Sequence, residues 1–259
     1  MSVIRIKGIF LTLLILMVGS SLFAQKQNLN IIYIGDSITQ GSQLGDPISE
    51  SPPAIASNWL SRQKGVEKVK FSNQGVSGFT TVDFLPSTQI AFDRVKNVAT
   101  ALNDRKTMLL FSIMLGTNDS ASEGPNGSPV SPEQYHDNLK TIINRLLRYF
   151  PNAKFVIQRP IWYSPNTYNG SRYLQEGLSR LQSYFPQIDK LIIEYNSTNA
   201  GHVFSSDTKA FDYFKEHYLT ELRPEQGREG IFYLHPNKKG AATLGTFWAQ
   251  AIYLAINKK

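Results

Sequence analysis

The sequence predicts an α/β protein with three layers, α/β/α, built on a five-stranded, mainly parallel sheet. Short apolar runs alternate along the chain with longer stretches of helical periodicity, a pattern typical of strands connected by crossover helices. The apolar runs also lack strict alternation with polar residues, as expected of strands that helices cover on both faces. No repeat or Pro/Gly-rich linker divides the chain, and we predict one domain over residues 25–259.

Five apolar runs are predicted to form the strands, and four amphipathic stretches the helices. Ser131 is a typical N-cap, and Pro132 suits the first turn of the helix that follows it. The predicted strands are residues 30–34, 66–71, 108–115, 154–158 and 202–205, and the predicted helices are residues 53–60, 89–102, 131–150 and a C-terminal helix that ends near residue 256. Two long loops, 121–130 and 161–171, follow predicted strands, and such loops carry ligand sites in doubly wound sheets.

The first 24 residues are typical of a secretory signal. Arg5 and Lys7 precede an apolar run at residues 9–18, and small residues lead to Ala24, which is the usual order of a cleavable signal. The apolar run is too short for a membrane span, which needs about 20 residues. We therefore expect an exported protein, periplasmic or extracellular, whose mature chain has no membrane span.

Composition excludes several classes of site. The chain contains no cysteine, which rules out disulfides, thiolate nucleophiles and Cys-ligated metal centres. The four histidines show no ligand spacing, so we predict no metal and no cofactor. The net charge is +7, but the basic residues are scattered, and nucleic-acid binding is not expected. A modest positive charge favours an anionic substrate or surface.

Polar residues follow the first three predicted strands. Ser37 follows the first within Gly35-Asp36-Ser37; its hydroxyl is a weak nucleophile that needs a base, and the alternative is an N-cap serine. Asn118 follows the third strand, where its amide can donate to an oxyanion or close an Asx-turn. Gly75 follows the second strand, where its N–H can approach a ligand or simply form a turn.

His235 is the histidine with the most constrained position. Pro236 follows it and keeps it out of the helical region, which places it between a loop and the C-terminal helix. Such a residue can serve as a general base, and the alternative is a structural role.

In this order, Ser37, Gly75, Asn118 and His235 resemble the SGNH hydrolases, the GDSL-type esterase family. The four motifs extend over about 200 residues. The resemblance implies a flavodoxin-like fold, with Ser37 as the nucleophile and His235 as the general base. It also implies an oxyanion hole formed by the backbone N–H groups of Ser37 and Gly75 and the side chain of Asn118.

One position departs from the family pattern. Members of the family usually carry an Asp three residues before the histidine to orient it, but Phe232 stands there in this chain. The nearest upstream carboxylate is Glu229, six residues away. Either a backbone carbonyl orients His235 or a carboxylate comes from elsewhere. We expect a carbonyl acceptor, and therefore a Ser–His dyad.

A finer resemblance concerns the substrate. Residues 160–166, 208–214 and 232–237 resemble secreted bacterial sialate O-acetylesterases, which implies removal of acetyl groups from sialic acids. Trp162 and Tyr163 are then expected to stack on a sugar, and Arg159 to pair with the sialate carboxylate. The alternatives are core or lid packing for the two rings and an internal salt bridge for the arginine.

Three functions are therefore considered. The first is a carbohydrate O-acetylesterase that acts on an acetylated glycan. The second is another SGNH hydrolase, either an acetylxylan esterase or a lipase or thioesterase with a long acyl groove. The third is a noncatalytic glycan-binding protein, which the missing Asp favours. The loops are rich in Asn, Ser, Gly and Tyr, and this favours a small acyl group on a polar alcohol. No oligomeric state is predicted.

Overall fold

The structure, a computed structural model, describes residues 26–258. The predicted signal, residues 1–24, lies outside them. The strands are β1 (Gln27–Gly35), β2 (Val66–Gly75), β3 (Thr107–Met114), β4 (Lys154–Ile157), β5 (Val203–Ser205), β6 (Leu222–Gly227) and β7 (Gly230–Pro236). The helices are α1 (Ser37–Gln40), α2 (Pro47–Glu50), α3 (Pro52–Leu60), α4 (Ile90–Leu102), α5 (Pro132–Tyr149), α6 (Leu174–Thr198), α7 (Ala210–Glu221) and α8 (Lys238–Asn257).

The main sheet has five parallel strands in the order β2-β1-β3-β4-β5, which confirms the predicted fold class. At the carboxyl edge of the sheet, Gly35 is in register with Gly75 on one side and with Met114 on the other. The chain therefore leaves β1, β2 and β3 at the same level. This brings the three loops that follow these strands to one edge of the sheet.

Helices cover both faces of the sheet. Helices α3 and α8 pack together over one face, where Tyr33 of β1 stacks on Trp248 of α8 with 6.0 Å between ring centroids. The layer on the other face contains α4, α5 and α6. Tyr135 of α5 stacks on Tyr184 of α6 with 4.2 Å between ring centroids. Strands β1 and β3 are buried over most of their length. The core therefore lies on both sides of the sheet, as the apolar runs predict.

The predicted helices and strands agree with the structure to within a few residues. The predicted cap of α5 is confirmed, because the Ser131 hydroxyl accepts a hydrogen bond from the backbone N–H of Gln134 at 3.2 Å and Pro132 opens the helix. The predicted helices do not include α6 or α7, and the antiparallel hairpin of β6 and β7 is not among the predicted strands. Pro186 lies inside α6 and Pro224 inside β6, and proline usually interrupts either element.

The hairpin changes the setting of His235. The prediction that this residue lies in a loop is wrong, because it is the penultimate residue of β7. Asn237 then caps α8 by accepting a hydrogen bond from the Gly240 N–H at 3.0 Å. A strand and a capped helix therefore hold the histidine on either side.

Residues 26–258 were compared with the requirements for a membrane-spanning helix and for a metal site. None of the helices in this range combines the length and the apolar character that a bilayer span requires. The same residues contain no cluster of three or more His, Asp or Glu side chains arranged to hold a metal ion.

Candidate active site

Ser37 is the first residue of α1, at the carboxyl end of β1. The cap of this short helix is Asp36, whose carboxylate accepts a hydrogen bond from the Ile38 N–H at 2.9 Å. The Ser37 side chain is therefore not the cap and is free for another partner. Its hydroxyl oxygen lies 2.9 Å from Nε2 of His235, which comes from the far end of the chain.

His235 is held on its other side by a carboxylate. Nδ1 of the ring lies 2.8 Å from Oε1 of Glu225, and the same oxygen accepts a hydrogen bond from the His235 backbone N–H at 3.2 Å. The two side chains are only 10% and 16% exposed. An ionised carboxylate is acceptor-only, so Nδ1 carries the ring proton. Nε2 is then the acceptor for the Ser37 hydroxyl, as a general base must be.

The predicted Ser–His dyad is therefore wrong, and Ser37, His235 and Glu225 form a triad. Glu225 lies on β6, directly opposite Phe232 on β7. The acid comes from the neighbouring strand instead of from position 232, because side chains opposite one another in a hairpin share a face. Glu229 lies in the turn of the hairpin and is exposed, and its backbone carbonyl accepts a hydrogen bond from the Asn166 side chain.

Asn118 presents an oriented amide. The residue is buried, its Oδ1 accepts a hydrogen bond from the Tyr173 hydroxyl at 2.7 Å, and its Nδ2 donates to the Phe79 carbonyl at 2.9 Å. Both bonds reach other segments of the chain, so the side chain does not close an Asx-turn of its own. The Phe79 carbonyl, which can only accept, fixes which end of the amide is the donor. The second hydrogen of Nδ2 is left to donate to an oxyanion.

The Gly75 N–H already has an acceptor, and we assign the backbone donor to Gly78 instead. The Gly75 N–H donates to Oδ1 of Asn73 at 3.0 Å, and a side chain at position 75 would overlap the backbone of Gln40. The chain then makes a turn, closed by the Phe79 N–H and the Val76 carbonyl, in which Gly78 has a φ of +80°. Within residues 26–258 the Gly78 N–H has no acceptor. It belongs to the turn that Asn118 contacts through Phe79.

Two buried carboxyl groups support these loops. Asp36 and Asp119 are both fully buried, and burial raises the pKa of Asp36 to about 6 and that of Asp119 to about 7. The charge of Asp36 adds to the increase at Asp119. Hydrogen bonds from the backbone N–H and the hydroxyl of Thr81 oppose it. Asp119 thereby ties the loop after β3 to the loop after β2.

The predicted substrate residues are wrong. Trp162 is 7% exposed and Tyr163 is fully buried, with its hydroxyl 2.9 Å from that of Ser120. The Arg159 guanidinium contacts both carboxylate oxygens of Asp189 on α6 at 2.7 Å. Core packing and an internal salt bridge, the alternatives to sugar binding, therefore account for all three residues.

The space beside the nucleophile is small. Ser37 and His235 line a cavity of about 10 Å³, which is enough for one water molecule, and residues 41–44 also line it. A much larger cavity of about 950 Å³ lies beside Gln27 and Thr107, at the amino end of the sheet. It is at the opposite edge from Ser37, and ligand sites in such sheets lie at the carboxyl edge. We therefore assign the chemistry to the smaller cavity.

Residues 33–243 match the model of the GDSL-like lipase/acylhydrolase family. A comparison with curated proteins finds no match. Among solved structures, a lipase/acylhydrolase from Enterococcus faecalis has a TM-score of 0.58 at 17% identity, with 89% of this chain and 97% of that chain covered.

Two further solved structures are similar to this chain in fold. A carbohydrate acetylesterase from Sinorhizobium meliloti has a TM-score of 0.57 at 17% identity, with 87% of this chain and 98% of that chain covered. A catalytic mutant of an acetylxylan esterase from Geobacillus stearothermophilus has a TM-score of 0.56 at 18% identity, with 91% and 97% covered. The matched region contains every residue assigned above to the triad and the oxyanion hole.

Replacing the acid of the triad tests its role. Glu225→Gln removes the charge that stabilises the His235 cation. It also gives Nδ1 an amide partner that can either accept or donate a hydrogen bond. We expect kcat for an ester substrate to fall by about 10⁴, as in other full triads. The matched control is Glu229→Gln in the turn of the same hairpin, which we expect to change kcat by less than about twofold. Equal activities of the two variants would contradict the triad.

The oxyanion donors are tested at Asn118 and at its partner Tyr173. Asn118→Ala should lower kcat by about 10² to 10³ with little change in KM. Tyr173→Phe leaves the amide in place but releases its Oδ1, and we expect a smaller loss in kcat of about tenfold. Tyr168→Phe, in the same long loop, serves as the control. An increase in KM alone for Asn118→Ala would instead assign this side chain to substrate binding.

The buried carboxyl groups predict how stability depends on pH. Asp36 and Asp119 have higher pKa values in the folded protein than in the unfolded chain. At a pH between the unfolded and the folded pKa of each group, the folded state therefore binds more protons than the unfolded chain. The free energy of unfolding should therefore fall as the pH rises from about 5 to about 8. Urea denaturation across this range measures the slope, and Asp119→Asn should reduce it. A wild-type protein that becomes more stable over this range would contradict the assignment.

Proposed function

The chain belongs to the GDSL-like lipase/acylhydrolase family, and on this premise we propose that it is a secreted serine esterase that removes O-acetyl groups from carbohydrates, with sialic acids as its substrates. The observation that carries the proposal is the continuous chain of contacts from Ser37 Oγ through His235 to the Glu225 carboxylate, at 2.9 and 2.8 Å. Such a chain activates a serine hydroxyl for attack on an ester carbonyl.

The acylation step follows from the positions of these atoms. Ser37 Oγ attacks the acetyl carbonyl carbon while Nε2 of His235 takes the hydroxyl proton, and Glu225 stabilises the resulting imidazolium. The negative charge moves to the carbonyl oxygen, which accepts hydrogen bonds from donors at Ser37, Gly78 and Asn118. The bond to the alcohol oxygen then breaks, and Nε2 gives its proton to the departing alcohol.

Deacylation uses the same residues in reverse. A water molecule loses a proton to Nε2 of His235 and attacks the acetyl-Ser37 carbonyl carbon. The tetrahedral intermediate again places its charge in the oxyanion hole. The bond to Ser37 Oγ breaks, the serine recovers its proton from the histidine, and acetate leaves. All protein groups that these two reaction steps require come from residues 37–235 of the one chain.

The small catalytic cavity supports an acetyl group as the acyl part of the ester. The space beside Ser37 is only about 10 Å³, whereas a long acyl chain needs an open apolar groove. Leu44 and Pro52 also line the cavity. This observation disfavours the lipase and thioesterase alternatives.

The carbohydrate part of the proposal is supported by structural neighbours and by the sequence. Two of the structural neighbours are named as a carbohydrate acetylesterase and an acetylxylan esterase. The three segments that resemble sialate O-acetylesterases favour sialic acid over xylan, as does the net positive charge of the chain. Export is proposed from the signal-like residues 1–24, which would bring the enzyme to glycans outside the cell.

A series of p-nitrophenyl esters tests the reaction and the acyl length together. We expect kcat/KM to be highest for the acetate and to fall steeply toward the octanoate. Ser37→Ala should keep the fold, by circular dichroism, and lower kcat by at least about 10³. Release of acetate from O-acetylated sialic acids and from acetylated xylan then ranks the sugars. A protein that binds these glycans but hydrolyses none of the esters would be a noncatalytic lectin and would contradict the proposal.

A further inference from the structure

Arg223 lies two residues before the triad acid on the same strand. Arg223 and Glu225 are both partly buried while Pro224 between them is exposed, so they share a face of β6, and Glu225 contacts His235 from that face. The Arg223 guanidinium donates from Nη1 to the backbone carbonyl of Gln43 at 2.6 Å. Gln43 is also part of the wall of the catalytic cavity. The arginine is therefore anchored at the margin of the active site, on the side of the hairpin.

The Arg223 guanidinium retains a donor that the described part of the chain does not use. Nε of Arg223 is buried and has no hydrogen-bond acceptor within residues 26–258. No carboxylate in the same residues lies within 4 Å of the guanidinium. The nearby cation Lys238 is different, because it pairs with Glu50 at 2.7 Å. Burying an unpaired donor is unfavourable, and an arginine anchored in this way keeps its charge and planar donors for an anion.

A second cavity lies directly beside this arginine. It has a volume of about 290 Å³, which is near the lower limit for small-molecule sites. Its lining includes Gln43, Leu44, Arg223, Asn237 and Lys238. The first two residues also line the cavity at Ser37 and His235, so the two spaces share a wall. None of the proposed oxyanion donors borders the second cavity.

The direction of proton transfer indicates which part of the ester lies near this second cavity. In acylation the alcohol oxygen leaves with the proton of His235 Nε2, so the alcohol lies on the histidine side of the scissile bond. The hairpin that carries His235 and Arg223 is on this side. We propose that Arg223 determines specificity by binding a carboxylate on the alcohol, so that the substrate is an O-acetyl ester of a sugar acid. This inference rests on the proposed esterase function and adds the residue that recognises the charge.

Matched pairs of substrates that differ only in this charge test the proposal. One pair is O-acetylated N-acetylneuraminic acid and its methyl ester, and the other is an O-acetylated hexuronic acid and its methyl ester. For at least one pair we expect wild-type kcat/KM to favour the free acid by at least about tenfold. The pair that shows the preference identifies which kind of sugar acid is bound.

Variants then assign the preference to Arg223. Arg223→Gln should bring the ratio of free acid to methyl ester close to one, and Arg223→Lys should give an intermediate ratio because it keeps the charge without the planar donors. Arg228→Gln, in the turn of the same hairpin, should leave the wild-type ratio. Because both substrates are measured on one preparation, the ratio does not depend on the folded fraction. A wild-type ratio near one, or an unchanged ratio in Arg223→Gln, would overturn the proposal.

Inhibition separates failure of this site from failure of the esterase proposal. If p-nitrophenyl acetate is hydrolysed but no acetylated sugar is, the proposed substrate class of the enzyme is wrong. The free sugar acids are then tested as inhibitors of p-nitrophenyl acetate hydrolysis, against their methyl esters. Stronger inhibition by a free acid in the wild type, lost in Arg223→Gln, would still support a carboxylate site. Equal inhibition by acid and methyl ester would overturn it.

Discussion

The carboxylate of Glu225 accepts a hydrogen bond from Nδ1 of His235 at 2.8 Å, and this contact determines what the other ring nitrogen can do at Ser37. With the ring proton fixed on Nδ1, Nε2 faces the serine hydroxyl as an acceptor. The hairpin sets this contact, because its register places Glu225 opposite Phe232, and a register shift between Leu222 and Pro224 follows before β7 ends at Pro236, next to His235. The acid therefore depends on pairing between two strands and not on a short sequence motif.

The other half of the site depends on the register of the parallel sheet. Gly35, Gly75 and Met114 end their strands side by side, so the loops that carry Ser37, Gly78 and Asn118 begin at one edge. Hydrogen bonds between the loops then fix their positions, and those of Asp119 to Thr81 and of Asn118 to Phe79 are two of them. The hairpin brings the base to this edge from the C-terminal part of the chain.

The fold and half of the site were predictable because each of these features has a local signature. Ser37 and Asn118 directly follow buried apolar runs, and Pro236 marks His235 as a boundary residue. Glu225 was missed because Pro224 conceals its strand, although Gly227 and Gly230 flank a two-residue turn in a way that is typical of a hairpin.

The errors at Trp162, Tyr163 and Arg159 have a different origin. Aromatic and basic residues after a strand have the same local sequence pattern whether they face a ligand or the core. For Arg159 the partner is Asp189, which lies on the long helix α6. That helix was itself concealed by Pro186. The tertiary partner of a side chain is a nonlocal property, and a single sequence does not contain it directly.

The orienting role of Glu225 is tested most directly by the low-field proton NMR spectrum of the protein. A Nδ1–H that donates to a carboxylate resonates far downfield, and we expect such a signal from His235 in the wild type, assigned by its absence from His235→Asn. In Glu225→Gln this signal should move upfield or be lost through exchange with water, while the folded dispersion of the remaining spectrum is kept. An unchanged low-field signal in Glu225→Gln would show that another acceptor holds His235 and would contradict the triad.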